Sequence, residues 1–295
     1  MQTLCDIAIN NPPKTWERLF KDALPELTAI DDKLKNQTFI PTLEDVFKPF
    51  YMTPLHEVKV VIFADQPYST YITDLNGINK PRSTGLAYSV EPYDQISPAL
   101  ETIYLELYKS LPSGYDIPDH GDLREWADQG VLLLNLACTL QTKYESNHGI
   151  WMGFIYRVLN ILAQEVPKCI FLLWGNRVKT VSRWIGEKSI IFEAVDPASY
   201  YREQFLGCNH FIKVNQELMK QGKDAIVWKL KPKSEILAKG FQPRVRKTTV
   251  DDDNDNDIKP LIKLKLPRPA IITKNTRLAR VKTLLSPDQL SGKIL

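Results

Sequence analysis

Four short apolar runs constrain this chain more than anything else in it. They are Val58 to Ala64, Val131 to Leu136, Cys169 to Trp174 and Ile190 to Val195. Each has the length of a strand and little polar character, which suits strands covered on both faces. Between and after them lie segments with helical spacing. Ser97 to Leu111 has Pro98 in its first turn, Met152 to Glu165 is amphipathic, and Phe211 to Lys220 closes the series. Strand and helix in alternation imply a parallel sheet with helices on both sides. The expected fold class is therefore α/β, a central four-stranded parallel sheet flanked by helices. Upstream, Trp16 to Leu24 carries an apolar stripe, and Thr42 with Glu44 and Asp45 signals a further helix start. Residues 1–11 carry no signal.

The first run stops at a polar turn, Ala64-Asp65-Gln66-Pro67-Tyr68-Ser69. Pro67 removes a backbone donor and takes the chain out of the sheet. In open α/β sheets ligands sit at the carboxyl ends of strands, so this turn is the first place to look for a site. The polar stretch from Ser69 to Ser83, with Gly77 and Pro81, is expected to be exposed.

The length of 295 residues fits one large domain, residues 1–230, with an extension, residues 231–295. That extension holds 15 Lys and Arg against 7 Asp and Glu, which leaves the body net acidic although the chain as a whole is +3. It is a low-complexity basic tail with an acidic run, Asp251 to Asp257, and is expected to be flexible or to dock a protein partner. Within it, Ile262 to Leu266 alternates like an edge strand and Arg277 to Leu285 could form a basic helix. No apolar run reaches membrane-spanning length and the N-terminus lacks a signal pattern, so no membrane association is expected. Cys5, Cys138, Cys169 and Cys208 show no metal spacing and read as reduced thiols of an intracellular protein of the cytoplasm or nucleus. Neither a metal nor a cofactor is expected.

The polar turn and the segments downstream resemble family 1 uracil-DNA glycosylases in colinear order, over roughly Pro12 to Leu230. The resemblance is carried by Ala64 to Ser69 and by Thr84-Gly85-Leu86-Ala87-Tyr88-Ser89-Val90. It continues through His120-Gly121-Asp122-Leu123, Gly130 to Asn135, Phe171 to Gly175, Asp196-Pro197-Ala198-Ser199-Tyr200, Gly207 to Phe211 and Ile226-Val227-Trp228. It implies the glycosylase fold and a uracil pocket made by Gln66, Tyr68, Tyr88 and Asn135. In that pocket Tyr68 excludes a 5-methyl group, Tyr88 stands where the family has a stacking Phe, and Asn135 reads the base edge. It further implies a DNA-contacting loop of Ser199, Tyr200, Tyr201 and Arg202, with Tyr200 at the position of an intercalating Leu.

At the chemistry-bearing positions the sequence departs from the family. Breaking the glycosidic bond needs a negative charge near the sugar cation and a neutral donor at the departing base. Gln66 stands where the family has its catalytic Asp, with Asp65 one place early; Asp196 stands where it has its His, and Ser69 replaces the His that ends the first motif. Serines that pinch the DNA backbone are replaced by Ala99, Asn176, Ala198 and Tyr201. The expectation from these losses is a catalytically inactive homologue, a structural or DNA-associated subunit of a replication, transcription or repair complex. A viral origin would fit, since large DNA viruses use a glycosylase of this superfamily as a processivity component. Two alternatives stand beside it: a non-cleaving reader of uracil in DNA, and an active glycosylase whose acid has moved to Asp65 or Asp196.

Overall fold

The structure, a computed structural model, describes residues 2–111, 115–141 and 147–238. The chain begins with helices α1 (Leu4–Asn10), α2 (Glu17–Asp22) and α3 (Leu24–Leu34), then strand β1 (Phe39–Ile40) and helix α4 (Lys48–Met52). Strand β2 (Val60–Ala64) follows, then the strands β3 (Tyr71–Thr73) and β4 (Asn79–Pro81) and helices α5 (Pro98–Ser110) and α6 (Arg124–Ala127). Next come β5 (Val131–Asn135), β6 (Leu140–Gln141), α7 (His148–Glu165), β7 (Ile170–Trp174), α8 (Asn176–Lys179), β8 (Ile190–Ala194), α9 (His210–Lys220) and α10 (Lys233–Ala238).

The four apolar runs form one parallel sheet in the order β5-β2-β7-β8, as the strand–helix alternation implied. Side chains alternate between its faces. Val61 and Phe63, with Leu132, Leu134, Phe171 and Leu173, pack against α1 to α4 and α7. Val60, Ile62 and Ala64, with Leu133, Leu172 and Trp174, pack against α5 and α9. The strand order reverses at β2, with β5 on one side and β7 on the other, so a crevice opens at its carboxyl end. Ser97 caps α5 by accepting the N–H of Leu100 at 3.2 Å, and Pro98 occupies the first turn, where its missing N–H costs nothing.

Several local expectations change. Residues 4–10 form a helix after all, because Thr3 and Asp6 make a reciprocal capping box and Asp31 accepts the N–H groups of Leu4 and Cys5. The Trp16–Leu24 stripe is split between a 3₁₀ turn, α2 and the start of α3. Thr42 binds the Asp45 carboxylate rather than a backbone N–H, and only a 3₁₀ turn follows before α4. The exposed stretch Ser69 to Ser83 folds into the antiparallel β3–β4 hairpin. The body continues past Leu230: the Lys231 and Lys233 N–H groups are accepted by Glu125 and Asp119, and His120 Nε2 meets the Lys231 carbonyl at 2.9 Å. The tail segments Ile262 to Leu266 and Arg277 to Leu285 lie outside the described residues.

Candidate active site

At the carboxyl ends of β2 and β5 lies a cavity of about 240 Å³. It gathers Asp65, Gln66, Tyr68, Tyr88, Asn135 and Asp196, with Ser83, Ala99 and Ala198 on its rim. A larger open groove of about 730 Å³, between Lys59 and Lys168, lies at the amino ends of the strands, where this architecture does not place ligands.

One wall of the cavity is built from the core. Ala64 and Asn135 are register partners at the ends of β2 and β5, so the Asn135 side chain is delivered to the crevice by strand pairing alone. Asn135 is only 3% exposed. Its side-chain amide makes no hydrogen bond to another described residue. Tyr68 donates its hydroxyl to the Tyr88 carbonyl at 2.9 Å and accepts from the Ser97 hydroxyl at 2.8 Å. Burial, only partly offset by that contact with Ser97, pushes the Tyr68 phenol up to about 12. Tyr88 is held at φ 61°, a left-handed conformation that costs a bulky residue about 1–2 kcal/mol. Its ring lies 5.6 Å from that of Trp174, which supports it from behind.

The other side carries charge. Asp65 and Gln66 are neighbours in the turn, and both line the cavity. Asp65 Oδ1 lies 2.7 Å from His148 Nε2, and its Oδ2 accepts from Arg177 at 2.8 Å. The same His148 nitrogen is 3.0 Å from the Asp65 carbonyl. Both oxygens accept, so Nε2 carries the proton. His148 opens α7 and Arg177 lies in α8, and neither was among the residues expected from sequence. Opposite them, Asp196 accepts the Ala198 N–H at 2.7 Å. Burial raises its carboxyl above the usual range against that hydrogen bond, and the charge of Asp65 adds to the rise. The approach of this loop depends on Gly175, at φ 107°, where a Cβ would come within 3.2 Å of Asp196 Cβ.

The expected DNA-contacting residues follow on the same loop. Tyr200 is 90% exposed, with Tyr201 against it edge to face at 5.2 Å, and Arg202 is half-buried. The Ser199 hydroxyl oxygen, by contrast, is buried without a hydrogen-bond partner among the described residues.

No protein-family profile matches the chain. Curated relatives do. A uracil-DNA glycosylase of Campylobacter concisus is 38% identical over 191 residues, 64% of this chain and 78% of the relative. A uracil-DNA glycosylase of Campylobacter lari is 33% identical over 229 residues, 74% of this chain and 94% of the relative. Among solved structures, mimivirus uracil-DNA glycosylase superposes with a TM-score of 0.66 at 23% identity, over 77% of this chain and 89% of that one, a likeness of fold. Relatives that bear the enzyme's name at this identity overturn the expectation of an inactive structural subunit. The physical reason lies in the cavity. The substitutions at 66 and 196 do not empty it of acids, because Asp65 and Asp196 both line it.

Proposed function

The chain belongs to the uracil-DNA glycosylase family, and we propose that it hydrolyses the glycosidic bond of uracil in DNA with a rearranged pair of carboxylates. The observation that carries this reading is the meeting, in one cavity, of the Asn135 side-chain amide, which hydrogen-bonds no other described residue, with Asp65 and Asp196.

The base enters between Tyr88 and Asn135. The Asn135 amide donates and accepts at once, which matches the edge of uracil. Tyr68 closes the space that a 5-methyl group would need. The C1′–N1 bond breaks with its electron pair leaving on the base, and water adds to C1′ to leave an abasic site. Asp65, fixed by His148 and Arg177, supplies negative charge near the sugar cation and an acceptor for the water; Gln66 helps orient that water. Asp196 contributes where it holds its proton, which burial favours. A buried carboxylic acid can donate to the base oxygen as negative charge builds there, whereas an ionised one would oppose it. Stacking of the base on Tyr88 removes water and favours the neutral form further. Tyr200 offers a ring on which a neighbouring base can stack.

The test is a titration of the protein with a uracil-containing single strand and its thymine counterpart, following binding and abasic-site formation together. Abasic product from the uracil strand alone is expected. Uracil-selective binding without product, or no preference at all, contradicts the reading.

A further inference from the structure

Tyr68 can reject a base with a 5-methyl group only while its ring stays in place. A rigid wall rejects the larger base by overlap, and a wall that turns aside admits it. The hydroxyl end of the ring is held by the Tyr88 carbonyl at 2.9 Å and the Ser97 hydroxyl at 2.8 Å. Both contacts sit at the phenol oxygen, on the axis about which the ring turns. The χ2 torsion of Tyr is broad, and contacts on its axis resist it weakly. Turning is resisted by whatever lies against the faces of the ring.

Arg82 lies against one face. Its guanidinium carbon is 5.3 Å from the Tyr68 ring centroid, within the reach of a cation–π contact. Tyr68 lines the cavity and Arg82 does not, so the guanidinium backs the ring from outside the space a base would fill. Arg82 is itself fixed. Its Nε donates to Asp94 Oδ2 at 2.6 Å, its Nη2 donates to the Gln95 carbonyl, and its backbone N–H donates to the Thr70 carbonyl at 2.9 Å. Both side chains of the ion pair are largely buried, so solvent does little to loosen it. Residues 94–97 therefore grip Tyr68 twice, at its hydroxyl through Ser97 and at its ring face through Arg82. The β3–β4 hairpin delivers Arg82. It leaves the cavity rim after Tyr68 and returns as β4, where Lys80 meets Glu91 at 3.2 Å just before Arg82. Residues 70–82 and 91–97 lie outside every stretch that carries the family resemblance, so that likeness does not supply this contact.

We propose that Arg82 is a positioning residue that locks the plane of the Tyr68 ring, and that the Arg82–Asp94 pair thereby sets how strictly this chain rejects 5-substituted uracils. The proposal rests on the glycosylase reading above. Arg82 acts through Tyr68 and does not reach the base. Without it the ring turns about its axis and the space beside the 5-position opens.

The test measures kcat/KM on single strands that carry uracil, 5-fluorouracil or thymine at one position. The proteins are the wild type, Arg82→Ala, Arg82→Lys, Asp94→Ala, the double variant of Arg82→Ala with Asp94→Ala, and Tyr68→Ala. The readout is the ratio of the 5-substituted base to uracil. Comparing one base across proteins cancels its own leaving-group chemistry, and a loss of folded protein does not move a ratio. Arg82→Ala should raise the ratio about five- to thirtyfold, the scale of a desolvated cation–π contact. Asp94→Ala, which does not touch the ring, should raise it in the same direction, and the double variant should go no further than Arg82→Ala. Arg82→Lys keeps the charge without the planar fork and should fall between Arg82→Ala and the wild type. Tyr68→Ala removes the wall and sets the upper limit. An Arg82→Ala ratio within about twofold of the wild type, with Tyr68→Ala raised, overturns the proposal, and so do additive effects of Arg82→Ala and Asp94→Ala. Absence of base release by the wild type would sink the glycosylase reading. The same variants are then compared by fluorescence anisotropy for their preference for the uracil strand over the thymine strand, and a preference that is absent or unchanged in Arg82→Ala overturns the proposal as well.

Discussion

The two sides of the cavity are held in different ways. The base-reading wall of Tyr68, Tyr88 and Asn135 is an extension of the core: strand register places Asn135, and a hydrogen-bonded chain from Ser97 through Tyr68 to Tyr88 fixes the rings. The charged side is held at its rim, by an ion pair to the exposed Arg177, a contact with His148 and a backbone N–H on Asp196. A wall built into close packing cannot change without cost to the fold. A carboxylate at a rim can move one position along the chain if new partners receive it. This accounts for a wall that keeps the resemblance at Tyr68 and Asn135, with an aromatic ring still at Tyr88, and a charged side that departs from it.

The contrast makes ordered predictions. Asp65→Asn apart, the largest effect should come from the wall. Asn135→Ala should lower kcat/KM on uracil-containing single strands by about 10²–10³-fold, the loss typical of one preorganised donor. Next comes Asp196. Asp196→Ala should cost about 10²-fold, whereas Asp196→Asn, which keeps a neutral donor, should stay within about fivefold of the wild type. The wild-type rate should fall as pH rises through the raised value of Asp196, and Asp196→Asn should lack that fall. Stability carries the same sign. Because the folded state holds this proton more tightly, the contribution is full below the ordinary aspartate range and is lost as pH rises through the raised value. The smallest effect separates the two sides by stability rather than rate. Tyr68→Phe breaks the chain between Ser97 and Tyr88 and should cost about 1–2 kcal/mol, a drop of about 2–8 °C in melting temperature. Asp196→Asn should leave the melting temperature unchanged at pH 7. A rim variant that destabilised the fold as much as Tyr68→Phe would break the comparison.

The same contrast explains what could be read in the sequence. Runs such as Val60 to Ala64 announce a buried strand, and a strand's end announces where a site opens, so Tyr68 and Asn135 were legible from local pattern and resemblance. The charged side was not. Asp65 owes its place to His148 and Arg177, which lie 83 and 112 residues away along the chain. No local signal couples residues at that separation. Position by position, Gln66 and Asp196 read as losses, and an acid moved to Asp65 or Asp196 stood only as an alternative, because the partners that hold Asp65 lie far along the chain. The N-terminal helix α1 was missed for a similar reason, since half of its capping comes from Asp31 in α3.

The central claim is that Asp65 has taken over the role of a catalytic carboxylate that position 66 no longer holds. The most direct measurement is the single-turnover rate of uracil release by the wild type, Asp65→Asn and Gln66→Ala on one saturating single-stranded substrate. The account predicts a loss of about 10²–10⁴-fold for Asp65→Asn and less than about tenfold for Gln66→Ala. An Asp65→Asn variant that releases uracil within about threefold of the wild-type rate would contradict it.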